Sequence, residues 1–317
     1  MTLEIRLAVR DWDYMSPLAL GEVSSPRLDL KLFRVGTLPD SLSDDTPYNA
    51  FETSFSRHLS AVEAGNHKNT AIPNFLMRGF RHQCILTRKD SRLTSIEDLR
   101  GKRIGVTGWR DSGNVWTRMI LRSKGINTED AYWYAGRLTD GHPIQDRLDG
   151  FGMPGRIEAM PDEEPMMDSL ARGWLDVVFT PFMPKGFFEA SSQFRQLLPN
   201  LSASQADYFQ TVGYVPGIHV LTMNSALLEE HPWAAQELSD LLDQSRDVWM
   251  QKRIRYADTT PFFMSDLIET ASLLPSTWGD SGIEANRKMI NDFIDEMHDQ
   301  AILGRRLNID EVFPVKK

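Results

Sequence analysis

The sequence has one cysteine, Cys84, among 317 residues. A single cysteine forms no intrachain disulfide, and its apolar neighbours Ile85 and Leu86 are typical of a small buried side chain. The chain also lacks any apolar run near the roughly 18 residues of a membrane span. Its first residues alternate apolar and charged side chains, with no signal-peptide pattern. We therefore expect a cytoplasmic protein without a membrane partner.

Positive residues are outnumbered by negative ones, with 35 Lys and Arg against 44 Asp and Glu. The formal net charge is -9 and the isoelectric point is near 5.3. An acidic protein repels phosphate backbones, so we expect no nucleic-acid partner. An anionic ligand would instead need a local group of arginines.

Several catalytic motifs are also missing. The sequence has no HExxH, no P-loop, no GxGxxG after a strand and no GxSxG elbow. These absences lead us to expect no metal and no cofactor, and they give no support to serine hydrolase chemistry.

Predicted strands and helices alternate along the chain, which favours parallel sheets with helices on their faces. The length and the composition, 41% hydrophobic and 25% charged, fit two domains. A second strand–loop–helix series starts near residue 88. We therefore predict a two-lobed α/β fold with one lobe of residues 1–87 plus 218–317, a second of residues 88–217, and a ligand cleft between them. Three further predictions are a helix after Glu52, a long loop over 131–165 and a helix over 187–198.

The loop over residues 107–114 precedes a predicted helix over 115–124. The first N–H groups of a helix and its dipole attract carboxylates, and Ser112, Asn114 and Arg118 could add side-chain donors. The alternative is that Ser112 or Asn114 caps the helix and Arg118 is a solvated charge.

Two histidines stand out. His82 follows Arg81, a combination suited to a substrate that is held by its charge and then protonated. His219 lies on an apolar strand, where a lone histidine is more often a core or hinge residue. Both interpretations stay open at this point.

Several blocks in order along the chain resemble the 4,5-dihydroxyphthalate decarboxylase family. The blocks begin with Glu52-Thr53-Ser54, Phe80-Arg81-His82 and Gly101-Lys102-Arg103-Ile104-Gly105-Val106. The others are Val115-Trp116-Thr117-Arg118, Pro154-Gly155-Arg156, Pro216-Gly217-Ile218-His219, His231-Pro232-Trp233 and Trp278 to Arg287. The chain departs from the family pattern at Thr107 to Arg110 and at Thr180 to Phe182.

This resemblance implies a periplasmic-binding-protein type II fold and non-oxidative decarboxylation of a hydroxylated aromatic carboxylate, 4,5-dihydroxyphthalate or a close analogue. Such an enzyme needs an acid near the ring carbon that bears the carboxylate, a base near the phenol and a clamp for the remaining carboxylate. The partner is then a small aromatic carboxylate, and a homo-oligomer is a candidate assembly. The competing hypothesis is a solute-binding protein of a transporter for an aromatic carboxylate, without catalysis.

The resemblance assigns hypothetical roles to individual residues. His219 or His82 is the proton donor, and Glu52 or His58 handles the phenolic proton. Arg81 and Arg118 bind carboxylates, and Trp116 and Trp12 flank the ring. The remaining predicted substrate-binding residues are Ser112, Asn114 and Arg156.

Overall fold

The computed structural model describes residues 2–39 and 46–315 and has the predicted α/β architecture, with two sheets and helices. The strands are β1 (Leu3–Val9), β2 (Leu28–Arg34), β3 (Ala50–Ser54), β4 (Asn69–Arg78), β5 (Ile85–Arg88), β6 (Arg103–Val106), β7 (Tyr132–Ala135), β8 (Ile157–Ala159), β9 (Val177–Phe179), β10 (Phe194–Gln196) and β11 (Gly217–Asn224). The α-helices are α1 (Ser16–Ala19), α2 (Phe55–Glu63), α3 (Ser112–Ser123), α4 (Met166–Ala171), α5 (Leu201–Val212), α6 (Ser225–Glu230), α7 (Trp233–Arg255), α8 (Phe263–Leu273), α9 (Ile283–Asp299) and α10 (Ile309–Val312).

The chain divides into two compact units. Unit 1 comprises Met1–Arg78, Gly217–Ile294 and Arg305–Lys317, and unit 2 comprises Gly79–Pro216 and Asp295–Gly304. The predicted lobes differ from these units mainly at residues 79–87 and 295–304. The first difference follows from β5, which pairs with β9 and β10 and so extends the sheet of unit 2.

Unit 1 contains a five-stranded sheet in the order β2-β1-β3-β11-β4. Strands β1, β2 and β3 are parallel, whereas β11 runs antiparallel to both β3 and β4. Ile5, Leu7 and Val9 of β1 are fully buried and share an apolar cluster with Leu238 and Leu242 of α7. The alternation of apolar residues in β1 therefore predicted a strand whose buried side chains help to hold the sheet against the long helix.

A second apolar cluster of unit 1 is aromatic. Phe55 at the start of α2 stacks on Phe293 with ring centroids 4.8 Å apart, and Phe313 lies 6.0 Å from Phe55. All three side chains are fully buried. Burying an aromatic side chain of this size stabilises a fold by about 2 kcal/mol or more, so this cluster fixes α2 immediately after β3.

Unit 2 contains a six-stranded sheet in the order β10-β5-β9-β6-β7-β8. Strand β6 lies between β9 and β7 and is parallel to both. Its Gly105 has no room for a side chain, because a Cβ there would lie 2.8 Å from Leu175 and 2.9 Å from Met166. The chain leaves the carboxyl end of β6 at Val106 and enters α3 at Ser112.

Two local predictions were wrong, and a third was confirmed. The helix predicted after Glu52 is α2, which begins at Phe55, whereas Glu52 itself lies on β3. Residues 131–165 contain β7 and β8, and residues 187–198 contain β10 in place of the predicted helix. These strands have three to five residues each and exist because of partners distant in sequence, which a local pattern does not reveal. No α-helix in the described ranges is long and apolar enough to cross a membrane.

Candidate functional site

Unit 1 brings Glu52 and His219 together. Glu52 on β3 is opposite Leu221 of β11, and His219 is two residues from Leu221 on the same strand. Side chains two residues apart on a strand share a face, so Glu52 and His219 are diagonal neighbours. Nδ1 of His219 lies 2.5 Å from Oε1 of Glu52. The Glu52 side chain is fully buried, whereas 14% of the His219 side chain is exposed.

The other carboxylate oxygen of Glu52 is held by two donors from the segment after β1. The backbone N–H of Arg10 donates to Oε2 at 2.9 Å, and the indole Nε1–H of Trp12 donates to the same oxygen at 2.8 Å. A carboxylate fixed by these donors is pre-organised to accept the Nδ1–H of His219. That tautomer leaves Nε2 of His219 to exchange protons with a ligand or with water.

Trp12 is itself held in place by Tyr14. The two rings are stacked, with centroids 6.4 Å apart and an interplanar angle of 8°. The Tyr14 hydroxyl donates to the carbonyl of Leu76. Burial, followed by the charge of Glu52, raises the pKa of Tyr14 well above its ordinary value, so the hydroxyl stays protonated. Trp12 therefore orients Glu52, in addition to any contact that it makes with a substrate ring.

Unit 2 brings Arg81 to the first turn of α3. Arg81 is only 3% exposed, and its guanidinium packs against Gly113. A Cβ built on Gly113 would lie 2.8 Å from Nη2 of Arg81 and 3.1 Å from Cζ. The side chain of Arg81 makes no hydrogen bond or ion pair with the residues that the structure describes, and its Nε is buried. A guanidinium held without a carboxylate partner among the described residues is a candidate binding group for an anion.

The first turn of α3 adds to this positive potential. Asp111 has the N-cap position but makes no side-chain cap hydrogen bond, so its carboxylate does not satisfy the first N–H groups. Its Oδ2 instead accepts from Thr107 at 2.9 Å. Asn114 donates to the carbonyl of Gly108 at 2.7 Å and so holds the preceding loop. Ser112 is buried in the same turn. The predicted helix terminus is therefore present, with Asp111 as its N-cap residue and Asn114 supporting the loop.

Arg118 lies deeper in unit 2. Its Nη2 donates to the carbonyl of Trp109 at 2.7 Å, its Nε donates to Gln300 at 2.7 Å, and its guanidinium lies 4.0 Å from the Trp109 ring centroid. Burial lowers the pKa of Arg118, although the group remains charged at neutral pH. These contacts give Arg118 a packing role within the unit.

Two other predicted binding residues, Trp116 and Arg156, contact aromatic rings elsewhere in unit 2 and do not join the Arg81–Gly113 contact. Trp116 is fully buried and packs on Tyr214 with ring centroids 5.7 Å apart. Arg156 lies over the ring of Tyr132, at the amino ends of β7 and β8. The loop that leads into α3 leaves the opposite, carboxyl end of β6, which is parallel to β7. The sheet therefore separates Arg156 from the first turn of α3.

The other two candidate histidines are buried and neutral at pH 7. Burial lowers the pKa of His58 to about 4, and its Nε2 faces the carbonyl of Val312 at 3.3 Å. Burial also lowers the pKa of His82 to about 4, and its ring packs on Tyr208 with centroids 5.2 Å apart. The Nδ1 atoms of both rings are buried without a hydrogen-bond partner among the described residues. Neither histidine is paired with a carboxylate in the way that His219 is.

The buried state of His58 predicts acid sensitivity of the fold. In the unfolded chain His58 has its ordinary pKa of 6.5 and binds a proton as the pH falls below that value. In the folded chain its pKa is about 4, so it binds a proton only near pH 4. Stability is therefore lost as pH falls through this window, by about 2 kcal/mol between pH 6.5 and pH 5 for one such group. His82 adds a loss of the same sign.

We expect His58→Gln to remove the His58 share of this pH dependence, because the amide still donates to Val312 but does not titrate. The measurement is urea unfolding followed by circular dichroism at pH 7.5 and pH 5.0. Replacing the exposed His142 of unit 2 by Gln is the control, because His142 is not among the groups that act on His58, and it should retain the pH dependence that His58 causes. An equal pH dependence in the His58 variant and the parent would contradict the assignment.

The described residues include no group of three or more His, Cys, Asp or Glu side chains placed to hold a metal ion. Two functional features were missed from the sequence. The first is the backbone N–H of Arg10, which leaves no signal in side-chain chemistry. The second is the contact between the Arg81 guanidinium and Gly113, for which the only signal in the sequence was a glycine near the start of a predicted helix.

Comparison with known proteins gives one consistent sequence relationship. The chain is 27% identical to a 4,5-dihydroxyphthalate decarboxylase of Comamonas testosteroni over 324 aligned positions, covering 98% of this chain and 96% of that protein. It is 28% identical to a protein of the same name from Pseudomonas putida, covering 67% of this chain and 83% of the relative. No protein-family model matches the chain.

Solved structures give the fold. The periplasmic aliphatic sulphonate binding protein SsuA from Escherichia coli matches with a TM-score of 0.61 at 11% identity, covering 99% of this chain and 98% of that one. The alkanesulfonate-binding protein SsuA from Xanthomonas axonopodis pv. citri matches with a TM-score of 0.56 at 13% identity, covering 98% and 97%. In sequence the chain is thus similar to the 4,5-dihydroxyphthalate decarboxylases, as the ordered blocks predicted, and its fold is that of the type II periplasmic binding proteins.

Proposed function

We propose that this protein is a non-oxidative decarboxylase of a hydroxylated, phthalate-like aromatic carboxylate, 4,5-dihydroxyphthalate or a close analogue. The observation that carries the proposal is the pair of His219 and Glu52, a buried carboxylate fixed by protein donors and joined to a partly exposed imidazole. The similarity over nearly the whole chain to two proteins named 4,5-dihydroxyphthalate decarboxylase supports the same reaction.

The chemistry requires a proton at the ring carbon that bears the departing carboxylate. A hydroxyl group para to that carbon donates electron density and makes the protonation feasible. The C–C bond to the carboxylate then breaks, its electron pair returns to the ring, and CO2 leaves. The net reaction consumes one proton, which the protein must deliver to carbon and later regain from solvent.

His219 is the proposed proton donor. Its Nδ1 is engaged by Glu52, so the exchangeable proton is carried on Nε2. Glu52 is better suited to this orienting role than to receiving a phenolic proton, because both of its oxygens already accept hydrogen bonds from the protein. His82 and His58 are poorer candidates because burial keeps them neutral at pH 7.

Arg81 is the proposed binding residue for a substrate carboxylate. Its guanidinium, unpaired among the described residues and packed against Gly113 at the start of α3, offers N–H donors to one anion. A planar carboxylate accepts two parallel hydrogen bonds from a guanidinium, and this geometry gives specificity as well as affinity.

The second candidate function is ligand capture for transport without catalysis, since the same fold occurs in the SsuA binding proteins. Ligand capture alone does not require a carboxylate-oriented imidazole, whereas decarboxylation needs a proton donor. The Glu52–His219 pair is therefore the feature that favours the enzyme.

The decisive experiment incubates the full chain with a panel of hydroxylated benzoates and phthalates and follows CO2 by mass spectrometry. We expect CO2 from 4,5-dihydroxyphthalate or an analogue with a hydroxyl group para to a carboxylate, and none from unsubstituted phthalate. In D2O the product should carry one deuterium at the vacated ring carbon. Tight binding of panel members with no CO2 from any of them would instead support the transport function.

A further inference from the structure

A cavity beside α3 is formed entirely by residues of unit 2. Its volume is about 170 Å³, and most of the residues that line it are polar. They include Arg118 and Arg122 of α3, Trp133 of β7 and Gln300, which follows α9. All the lining residues lie within unit 2, so the cavity belongs to one compact unit.

One nitrogen of the Arg118 guanidinium is not used by the packing contacts described above. Nε and Nη2 donate to Gln300 and to the carbonyl of Trp109, whereas Nη1 is buried and has no hydrogen-bond partner among the described residues. Arg118 is only 3% exposed and forms no ion pair within the described ranges. Burial lowers the pKa of Arg118 to about 9, because the charges of Asp111 and Glu296 offset the loss of water only in part. A cation in this state is stabilised by a nearby anion.

Arg122 brings a second guanidinium to the same cavity. It lies four residues after Arg118, so the two side chains share a face of α3. Nη2 of Arg122 donates to Glu296 at 2.5 Å and to Asp299 at 2.9 Å, and its other two nitrogens make no hydrogen bond with the part of the chain that the structure describes. Two arginines with N–H groups left over suit an anionic ligand better than a neutral one.

The other groups in the lining restrict the kind of anion. Asp299 and Glu129 are exposed carboxylates that line the same cavity. Their charges repel a dianion more strongly than a monovalent anion. An apolar cavity of about 150 Å³ is large enough for benzene, so the volume beside α3 admits a halide with water or a small carboxylate such as formate. We propose that this cavity binds one small monovalent anion, held by N–H groups of Arg118 and Arg122.

This anion site is distinct from the substrate site proposed at Arg81. Gly113, which packs on Arg81, lies five residues before Arg118, and five residues are about 140° around a helix with 3.6 residues per turn. Neither Arg81 nor Gly113 is among the residues that line the cavity. The anion site does not depend on decarboxylation and is testable without a substrate.

Chlorine NMR of sodium chloride in the presence of the full chain tests the site, because exchange of chloride with a protein site broadens its line. We expect an excess linewidth that saturates at millimolar chloride. At constant ionic strength, sodium formate should displace the chloride and sodium sulfate should do so less well. Arg81→Met should keep most of the broadening, because Arg81 is not part of the cavity.

Variants place the anion in the cavity. Arg118→Met and Arg122→Gln should each weaken chloride binding at least about tenfold, because each removes a charged donor. Since Arg118 also packs on Trp109, Thr128→Phe is a further variant, which fills the cavity, keeps both arginines and should abolish the broadening. The matched control for Arg122→Gln is Arg172→Gln, because Arg172 also donates through Nη2 to a carboxylate of unit 2, at 3.0 Å. This control should bind chloride like the parent.

Three results would overturn the proposal. The first is no broadening with the parent chain, which would leave water as the occupant of the cavity. The second is broadening that Arg122→Gln and Thr128→Phe both leave unchanged while circular dichroism shows them folded, or that Arg81→Met removes. The third is stronger displacement by sulfate than by formate, which would contradict a monovalent site.

Discussion

His219→Asn should lower kcat for CO2 release by about 10³-fold while leaving the dissociation constant of the substrate within about threefold of the parent. General acid catalysis contributes roughly 10²–10⁴-fold, and asparagine carries no proton that it can deliver to carbon. Its amide still donates to Oε1 of Glu52, so the buried carboxylate is not left unpaired and the fold is preserved. Single-turnover CO2 release and equilibrium binding measure the two quantities separately.

Two further variants measure how much Glu52 and its donor Trp12 contribute to kcat. Glu52→Gln should lower kcat about 100-fold or more, because a glutamine amide donates to Nδ1 of His219 and favours the wrong tautomer. Trp12→Phe removes one of the two donors to Oε2 but keeps the Arg10 N–H, so we expect a smaller loss of about tenfold. The loss should therefore increase from Trp12→Phe to Glu52→Gln to His219→Asn.

The matched control for this series is His231→Asn, since His231 lies 3.6 Å from Glu230 in a second His–Glu pair, one whose carboxylate is solvent-exposed. We expect no change in kcat from this substitution. A His219 variant with kcat within threefold of the parent would contradict the proton-donor role. A loss confined to substrate binding would assign His219 to recognition instead.

The sequence predicted the architecture better than the site. Strand β1 was predicted because apolar and charged residues alternate over the first residues of the chain, with Ile5, Leu7 and Val9 on one face. Strands β3, β7, β8 and β10 have three to five residues, too few for a period to emerge. Their pairing depends on strands that are distant in the sequence.

The site illustrates the same limit. Glu52 and His219 were both candidates, but 167 residues separate them, and only the register of β3 against β11 makes them neighbours. Arg118 and Trp116 were candidates because they follow the start of a helix. Burial decides their contacts, since Arg118 is enclosed by Trp109 and Gln300 and Trp116 is packed on Tyr214. A sequence pattern places a residue on an element, whereas its contacts come from the other elements that pack there.

Arg81→Met should abolish measurable substrate binding while leaving the melting temperature of the ligand-free protein close to that of the parent. The side chain of Arg81 lies beside Gly113 and makes no hydrogen bond or ion pair with the described residues, so removing its charge breaks no contact of the ligand-free fold. Methionine fills similar space without a charge, and we expect melting to stay within a few degrees of the parent. Loss of two charge-assisted hydrogen bonds, about 1.5–3 kcal/mol each, weakens carboxylate binding at least about 100-fold.

Gly113→Ala tests the same contact from the helix side. The added Cβ would lie 2.8 Å from Nη2 of Arg81, so the guanidinium must move and carboxylate binding should weaken about tenfold with the charge still present. The control for Arg81→Met is Arg156→Met, which removes an arginine at the amino ends of β7 and β8, away from the start of α3. The control for Gly113→Ala is Gly141→Ala, where the nearest atom to the new Cβ is 3.8 Å away. Calorimetric titration with the substrate, using His219→Asn as the background to prevent turnover, measures all four affinities. Unaltered affinity after Arg81→Met, or a lowered melting temperature together with weaker binding, would show that Arg81 supports the fold of unit 2 rather than an anion.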